Sequence, residues 1–156
     1  MVEMEPEEAA FVDRIGLFFE MLGGPRTMGR IYGWLVICDP PEQSLTALAT
    51  TLGVSKASVS TVVRLMQEAG LVERLPSPTR QHHYRITPGG FTQVLQVQLE
   101  RMRAGVDAAE YGLSVVGEER PAQRERLTEL RDFCEFCTGE ALNEFMRRWE
   151  DYRKGR

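Results

Sequence analysis

Between Ser55 and Arg64 the chain reads Ser-Lys-Ala-Ser-Val-Ser-Thr-Val-Val-Arg, a run of short hydroxyl side chains bracketed by cations. Ser58, Ser60 and Thr61 can donate to or accept from the edges of several bases, and Ala57 can meet a thymine methyl. Side chains this short let a helix backbone come close to the floor of a DNA groove. Ser55, Lys56 and Arg64 suit phosphate oxygens instead. A second set follows in Thr79, Arg80, His82, His83 and Arg85. Arg80, beside Thr79, is a candidate for a narrow minor groove, where negative potential is concentrated. Arg85 and the two histidines suit the DNA backbone. His82 and His83 are adjacent in an extended segment, so they point to opposite faces and cannot easily share a metal ion. A solvated helix start and arginines without partners are the alternative readings of these two sets.

Other reactive residues carry less. Cys134 and Cys137 form a Cys-Glu-Phe-Cys sequence with no second Cys or His pair near it, whereas structural zinc takes four ligands. The pair falls on an apolar helical stripe, where a free thiol packs as a small hydrophobe. With Cys38 the count is three, which fits reduced thiols in a reducing compartment. Phe11, Phe18, Tyr32 and Trp34 either line a pocket for a small-molecule effector or belong to an ordinary core. No phosphate loop, metal-protease helix or nucleophile elbow is present in the sequence. Neither a cofactor nor a metal is expected, and the chain is not read as an enzyme.

The elements that must hold these residues follow from periodicity. Ser44 and Ser55 are N-cap candidates for helices over 45–52 and 56–69, joined by a tight Gly53-Val54 turn. Val59, Val63 and Met66 recur at helical spacing and should face a core. Gly70 stands where a left-handed residue ends a helix. Residues 71–75 and 81–86 read as two strands joined by Pro-Ser-Pro-Thr-Arg. Helix, turn, helix and two-stranded wing make a winged helix-turn-helix, a unit that places one helix in the major groove.

Flanking helices surround that unit. Pro6 opens one with Phe11, Ile15, Phe18 and Leu22 on one face, ended by Gly23-Gly24-Pro25. Thr27 is expected to cap the next, which Pro40-Pro41 closes, and its glycines mark close contact with a neighbouring helix. Thr87-Pro88 is expected to cap a helix whose apolar residues Leu95, Leu99, Met102, Val106, Ala109, Leu113 and Val116 form an unbroken four-three seam, ended by Gly117. A last helix runs from Pro121 through Tyr152 and carries Phe133, Phe145 and Trp149. The expected organisation is an N-terminal dimerisation helix over 1–24, a DNA-binding domain over 25–87, and a helical dimerisation region over 88–156. The fold class is mainly α with a small β-wing.

The chain has 156 residues and a net charge of −4, but the charge is unevenly spread. Residues 1–22 hold Glu3, Glu5, Glu7, Glu8, Asp13 and Glu20 against Arg14 alone, whereas 54–87 hold Lys56, Arg64, Arg74, Arg80 and Arg85 against Glu68 and Glu73. Attraction to DNA is local, because salt screens it over roughly 8–10 Å. No apolar run approaches the roughly 20 residues of a membrane span, and the acidic N-terminus lacks a signal-peptide pattern. A cytoplasmic protein without a membrane partner is expected.

The stretch PRTMGRIYGWLVICDPPEQSLTALATTLGVSKASVSTVVRLMQEAGLVER, Pro25 to Arg74, resembles MarR-type regulators, and within them the GbsR-like branch. The tail from Leu130 to Glu150 is also similar, although such proteins usually carry an aromatic where Cys134 stands. The resemblance implies a homodimeric transcription factor, often a repressor and often relieved by a small molecule. It implies double-stranded DNA and a second copy of the chain as partners. Phe11, Ile15, Phe18, Leu99, Met102, Val106, Leu113, Phe133, Phe145 and Trp149 are the candidate dimer residues. A winged-helix protein-interaction module without DNA binding, and a thiol or metal sensor on the same fold, are the competing readings.

Overall fold

A computed structural model describes residues 4–77 and 79–156. Pro78 of the expected wing tip, and residues 1–3 with Glu3, lie outside the described residues. The chain divides into two compact units, Met1–Val94 and Leu95–Arg156.

The first unit opens with α1 (Pro6–Met21), whose first-position Pro needs no hydrogen-bond partner for its nitrogen. The Glu8 carboxylate accepts from the Glu5 amide at 2.9 Å, and acids in this first turn suit the positive helix end. Gly24 and Gly23 donate back to Phe19 and Glu20, with Gly23 at φ 86° closing the helix. α2 (Arg26–Ile37) starts one residue before the expected cap Thr27, because Pro25 already sits at φ −65° and takes the N-cap position.

These two helices pack unusually closely because glycines line their contact. A Cβ on Gly29 would stand 2.5 Å from the Ile15 carbonyl oxygen, and one on Gly33 3.1 Å from Ile15 Cβ. Arg30 Nε also meets Asp13 Oδ1 at 3.0 Å across the same crossing. The buried line of α1 is Val12, Gly16 and Phe19, not the expected face. Phe11 and Ile15 are half-buried, and Phe18 and Leu22 are exposed. The crossing glycine Gly16 sets this rotation, since backbone proximity rather than side-chain size decides which line faces α2.

β1 (Gln43–Ser44) leads directly into α3 (Leu45–Leu52), capped by Ser44 Oγ accepting the Ala47 amide at 3.1 Å. Gly53 turns the chain at φ 65°, and α4 (Lys56–Glu68) begins under Ser55, whose Oγ accepts the Ser58 amide at 3.1 Å. Gly70 at φ 80° donates to Gln67 and Leu71 donates to Met66, the paired closure of a Schellman end. β2 (Val72–Leu75) and β3 (His83–Ile86) form the wing, with sheet order β1-β3-β2 and all neighbours antiparallel. β3 is the middle strand, pairing Ser44 with His83 on one side and Glu73 with Arg85 on the other. Trp34, Ile31, Leu48, Met66, Val12, Val59, Val63 and Val72 form the fully buried core beneath these elements.

Thr87 does not cap the next helix. Its hydroxyl is buried without a partner among the described residues, while its carbonyl accepts from Gly90 at 3.0 Å. Pro88 and Gly89 (φ 72°) occupy the central positions of a type II turn, and α5 (Gly90–Glu100) starts there. A Cβ on Gly90 would lie 2.4 Å from the Gly70 carbonyl oxygen, so the end of α4 and the start of α5 touch backbone to backbone.

The second unit holds the end of α5, α6 (Arg103–Val115), α7 (Pro121–Thr138) and α8 (Glu140–Lys154). The expected unbroken helix after Pro88 divides at Arg101 and Met102. There Met102 donates to Leu99 and Ala104 to Arg101, three residues back, a tightening that apolar spacing does not report. The expected single helix from Pro121 to Tyr152 also divides, at Gly139 with φ −100° and ψ −139°. α6 and α7 pack closely: a Cβ on Gly105 would meet Cys134 Sγ at 2.6 Å, and one on Gly112 would meet Leu127 at 2.8 Å. Arg124 donates to the carbonyls of Leu113 and Val116 at 2.8 and 2.6 Å, satisfying the end of α6. No helix among the described residues is long and apolar enough to cross a membrane.

Candidate nucleic-acid interface

α4 separates its residues cleanly. Val59, Val62, Val63 and Met66 turn into the core, and Lys56, Ala57, Ser58, Ser60, Thr61 and Arg64 are all exposed. One of these hydroxyl groups, and that of the N-cap Ser55 before them, are already partly used. Ser55 Oγ is the cap acceptor, and Thr61 Oγ1 donates to the Ala57 carbonyl at 3.1 Å. Ser58 and Ser60 have no side-chain partner among the described residues. The uncovered face therefore offers, at each end of a patch of small groups, one cation with no ion-pair partner among the described residues.

The wing places its candidates differently. The Ser77 and Thr79 hydroxyls lie 2.9 Å apart, and Thr79 Oγ1 also accepts the Gln81 amide at 3.3 Å, so Thr79 shapes the tip. Arg80 is exposed and makes no ion pair among the described residues. Arg85 is paired across the strands with Glu73, Nε to Oε1 at 2.5 Å. An acid beside Arg85 reduces its pull on a phosphate, and that partner was legible only once the strand register was known.

His82 and His83 are half-buried and line different cavities. His83 borders a groove of about 430 Å³ together with Glu42, Thr46, Thr50 and Gln81. His82 borders a smaller one of about 100 Å³ with Thr46, Lys56, Arg80 and Gln81. Thr46 and Gln81, which line both, had no signal in the sequence. No group of three metal-ligating side chains occurs among the described residues.

The four aromatics proposed for an effector do not come together. Trp34 is fully buried in the core, its indole nitrogen without a partner among the described residues. Phe18 and Tyr32 instead join Phe19 and Phe91: Phe91 lies 6.1 Å from Phe18 in a stacked arrangement and 6.1 Å from Tyr32, and Phe19 lies 5.3 Å from Tyr32. Burial raises the Tyr32 hydroxyl pKa above its ordinary value. Phe11 makes no ring contact with this cluster among the described residues. Phe91 was missed because it follows a glycine pair at a helix start, where it reads as part of the helix's own pattern.

The candidate dimer residues are spread over both units. In the first, Phe11 and Ile15 are half-buried and Phe18 is 43% exposed. In the second, Leu99, Met102, Val106 and Leu113 are half-buried, while Phe133, Phe145 and Trp149 are exposed by 59%, 50% and 38%. Cys134 is buried against Gly105 and Cys137 is half-buried one turn on. Burial also raises the Cys38 thiol pKa.

Comparison with known proteins gives a consistent result. Residues 89–152 match the family of MmpR5-like MarR family transcriptional regulators, and residues 35–81 match the MarR family. The HTH-type transcriptional regulator MmpR5 of Mycobacterium tuberculosis is 34% identical over 148 residues, covering 92% of this chain and 90% of its own. A crystal structure of a transcriptional regulator superposes with a TM-score of 0.80 at 31% identity, covering 94% of this chain and 99% of that one. The branch these matches describe is MmpR5-like, whereas the sequence motifs resemble the GbsR-like one.

Proposed function

The chain belongs to the MarR family of transcriptional regulators, and from that premise we propose that it is a homodimeric repressor binding double-stranded DNA in the cytoplasm. α4 enters the major groove, with Ala57, Ser58, Ser60 and Thr61 toward the bases and Ser55, Lys56 and Arg64 toward phosphates. The wing, with Thr79, Arg80, His82, His83 and Arg85, lies along the adjacent backbone or minor groove. One observation carries this reading: α4 buries a full apolar line and leaves every small and cationic residue of its first two turns uncovered.

A second copy of the chain is the partner for the remaining apolar surface. Leu17, Phe18, Met21 and Leu22 are exposed in the first unit, and Leu130, Phe133, Phe136, Phe145 and Trp149 in the second. Exposed patches of this kind mark association surfaces, and symmetric dimers are the commonest oligomers. In this organisation residues 1–24 and 88–156 dimerise and 25–87 bind DNA. A small-molecule effector bound near Phe18 and Tyr32 relieves repression by favouring a spacing of the two α4 helices that no longer fits half-sites about 34–36 Å apart.

The test combines two measurements on the full chain. Sedimentation equilibrium should give twice the chain mass. Binding to duplex DNA should weaken steeply with salt, with a log–log slope that scales with the phosphates neutralised. A monomer that ignores duplexes in dilute buffer refutes the reading.

A further inference from the structure

The two cavities beside the wing differ in charge. The larger contains Glu42, whereas the smaller is bordered by Lys56, Arg80 and His82 and no carboxylate. Lys56 comes from the start of α4, Arg80 and His82 come from the wing, and Thr46 from the first turn of α3 supplies a hydroxyl. Neither Lys56 nor Arg80 has an ion-pair partner among the described residues, so both charges are available. The cavity, about 100 Å³, has room for a group of phosphoryl size. Two cations that line one small concave site focus potential there more than on an open surface.

We propose that Lys56 and Arg80 hold one and the same DNA phosphate in this cavity, with His82 and Thr46 completing its shell. This rests on the reading of the chain as a DNA-binding regulator. It sharpens that reading at Arg80, which becomes a backbone clamp between the recognition helix and the wing and not a minor-groove reader. The Glu42 carboxylate lines the larger groove and is absent from the lining of the smaller one, so a phosphate is favoured in the latter. The clamp fixes the register of the wing against α4, so that both ride on a single point of one strand.

The experiment is a thermodynamic cycle on the full-length protein with Lys56→Gln, Arg80→Gln and the double variant. The probes are two mixed-sequence duplexes, one A/T-rich and one G/C-rich, titrated from low to moderate salt. Circular dichroism of each variant controls for folding, since both side chains are at the surface. A phosphate contact contributes about 0.9 to the log–log salt slope. Shared ligation predicts that each single change weakens binding to both duplexes by about tenfold, that the double change costs little more than either, and that its slope falls by about one. Additive losses with a slope lower by about two mean separate phosphates, and overturn the proposal. So does an Arg80→Gln variant that keeps the slope and loses only its preference for the A/T-rich duplex. In either case the wild-type chain still binds DNA and only the clamp fails. A wild-type chain that binds neither duplex overturns the parent reading and the clamp with it.

Discussion

Gly29 faces the backbone of Ile15 with no space for a side chain: a methyl group there would approach the Ile15 carbonyl oxygen to 2.5 Å and the Gly16 Cα to 2.8 Å. Both obstacles are backbone, so neither can swing aside. Helix propensity alone would favour Ala over Gly by about 1 kcal/mol. Overpacking opposes it by typically 1–3 kcal/mol and here forces two helices apart. Gly29→Ala should therefore destabilise the protein by up to about 2 kcal/mol net, read from chemical denaturation. At Gly33 the nearest atom is the Ile15 Cβ at 3.1 Å, and Gly33→Ala should cost less. Equal stability of the wild type and Gly29→Ala would show that the helices are not in this contact.

Ser55 serves α4 twice over in the proposed arrangement, as a cap and as a neighbour of DNA. Ser55→Ala removes the acceptor for the Ser58 amide and should destabilise the protein by about 1 kcal/mol. Ser55→Asp keeps a good cap and adds a negative charge near the helix start. It should leave thermal stability near the wild-type value and weaken duplex binding at least tenfold. Undiminished binding of the Asp variant would remove the start of α4 from the DNA surface.

Ser58 and Thr61 divide differently between structure and recognition. The Thr61 hydroxyl proton is engaged with the Ala57 carbonyl, whereas Ser58 has its hydroxyl free among the described residues. Once a bound sequence is known, Ser58→Ala should flatten the preference at one base pair by about 1 kcal/mol, the net worth of one hydrogen bond. Thr61→Val should change it less. The reverse order, measured by competition among single-base variants of the site, would exchange their assignments.

The three thiols should react at different rates. Cys38 is buried, donates to the Leu35 carbonyl at 3.8 Å, and has its pKa raised chiefly by desolvation. Only the thiolate attacks a disulfide reagent, so Cys38 should react slowly at pH 8, Cys134 slowly because it is covered, and Cys137 first. The sign for stability follows from the same shift. A folded pKa above the unfolded one means the contribution is complete below the ordinary thiol value of about 8.5 and declines as pH rises through the folded value. The denaturation midpoint should thus fall above about pH 9 in the wild type, and less so in Cys38→Ala. Labelling of Cys38 ahead of Cys137, followed by mass spectrometry, would contradict the burial argument.

The sequence was most legible where local chemistry alone sets structure. Ser44, Ser55, Gly53 and Gly70 mark helix ends through caps and positive φ, and all four stand where they were placed. Illegible features depend on partners distant in the chain. β1 has only two residues, too few for alternation, and exists because β3 pairs with it. The buried face of α1 is set by the glycines at its crossing with α2, Gly16 among them, and not by its own large residues. Gly139 was passed over because a lone glycine inside an apolar pattern is usually tolerated. For the candidate interface, residue types and exposure on α4 were readable. The Glu73 partner of Arg85 and the placing of Lys56 and Arg80 around one cavity required the folded wing.

The contact between Gly70 and Gly90 leaves no play at the joint where one helix stops and another sets out. Because the Gly70 carbonyl occupies the place a Gly90 side chain would need, the first turn of α5 cannot tilt without pushing on the tail of α4. Any side chain at position 90 would have to push the close of α4 aside, because two bare backbones meet there with nothing between them.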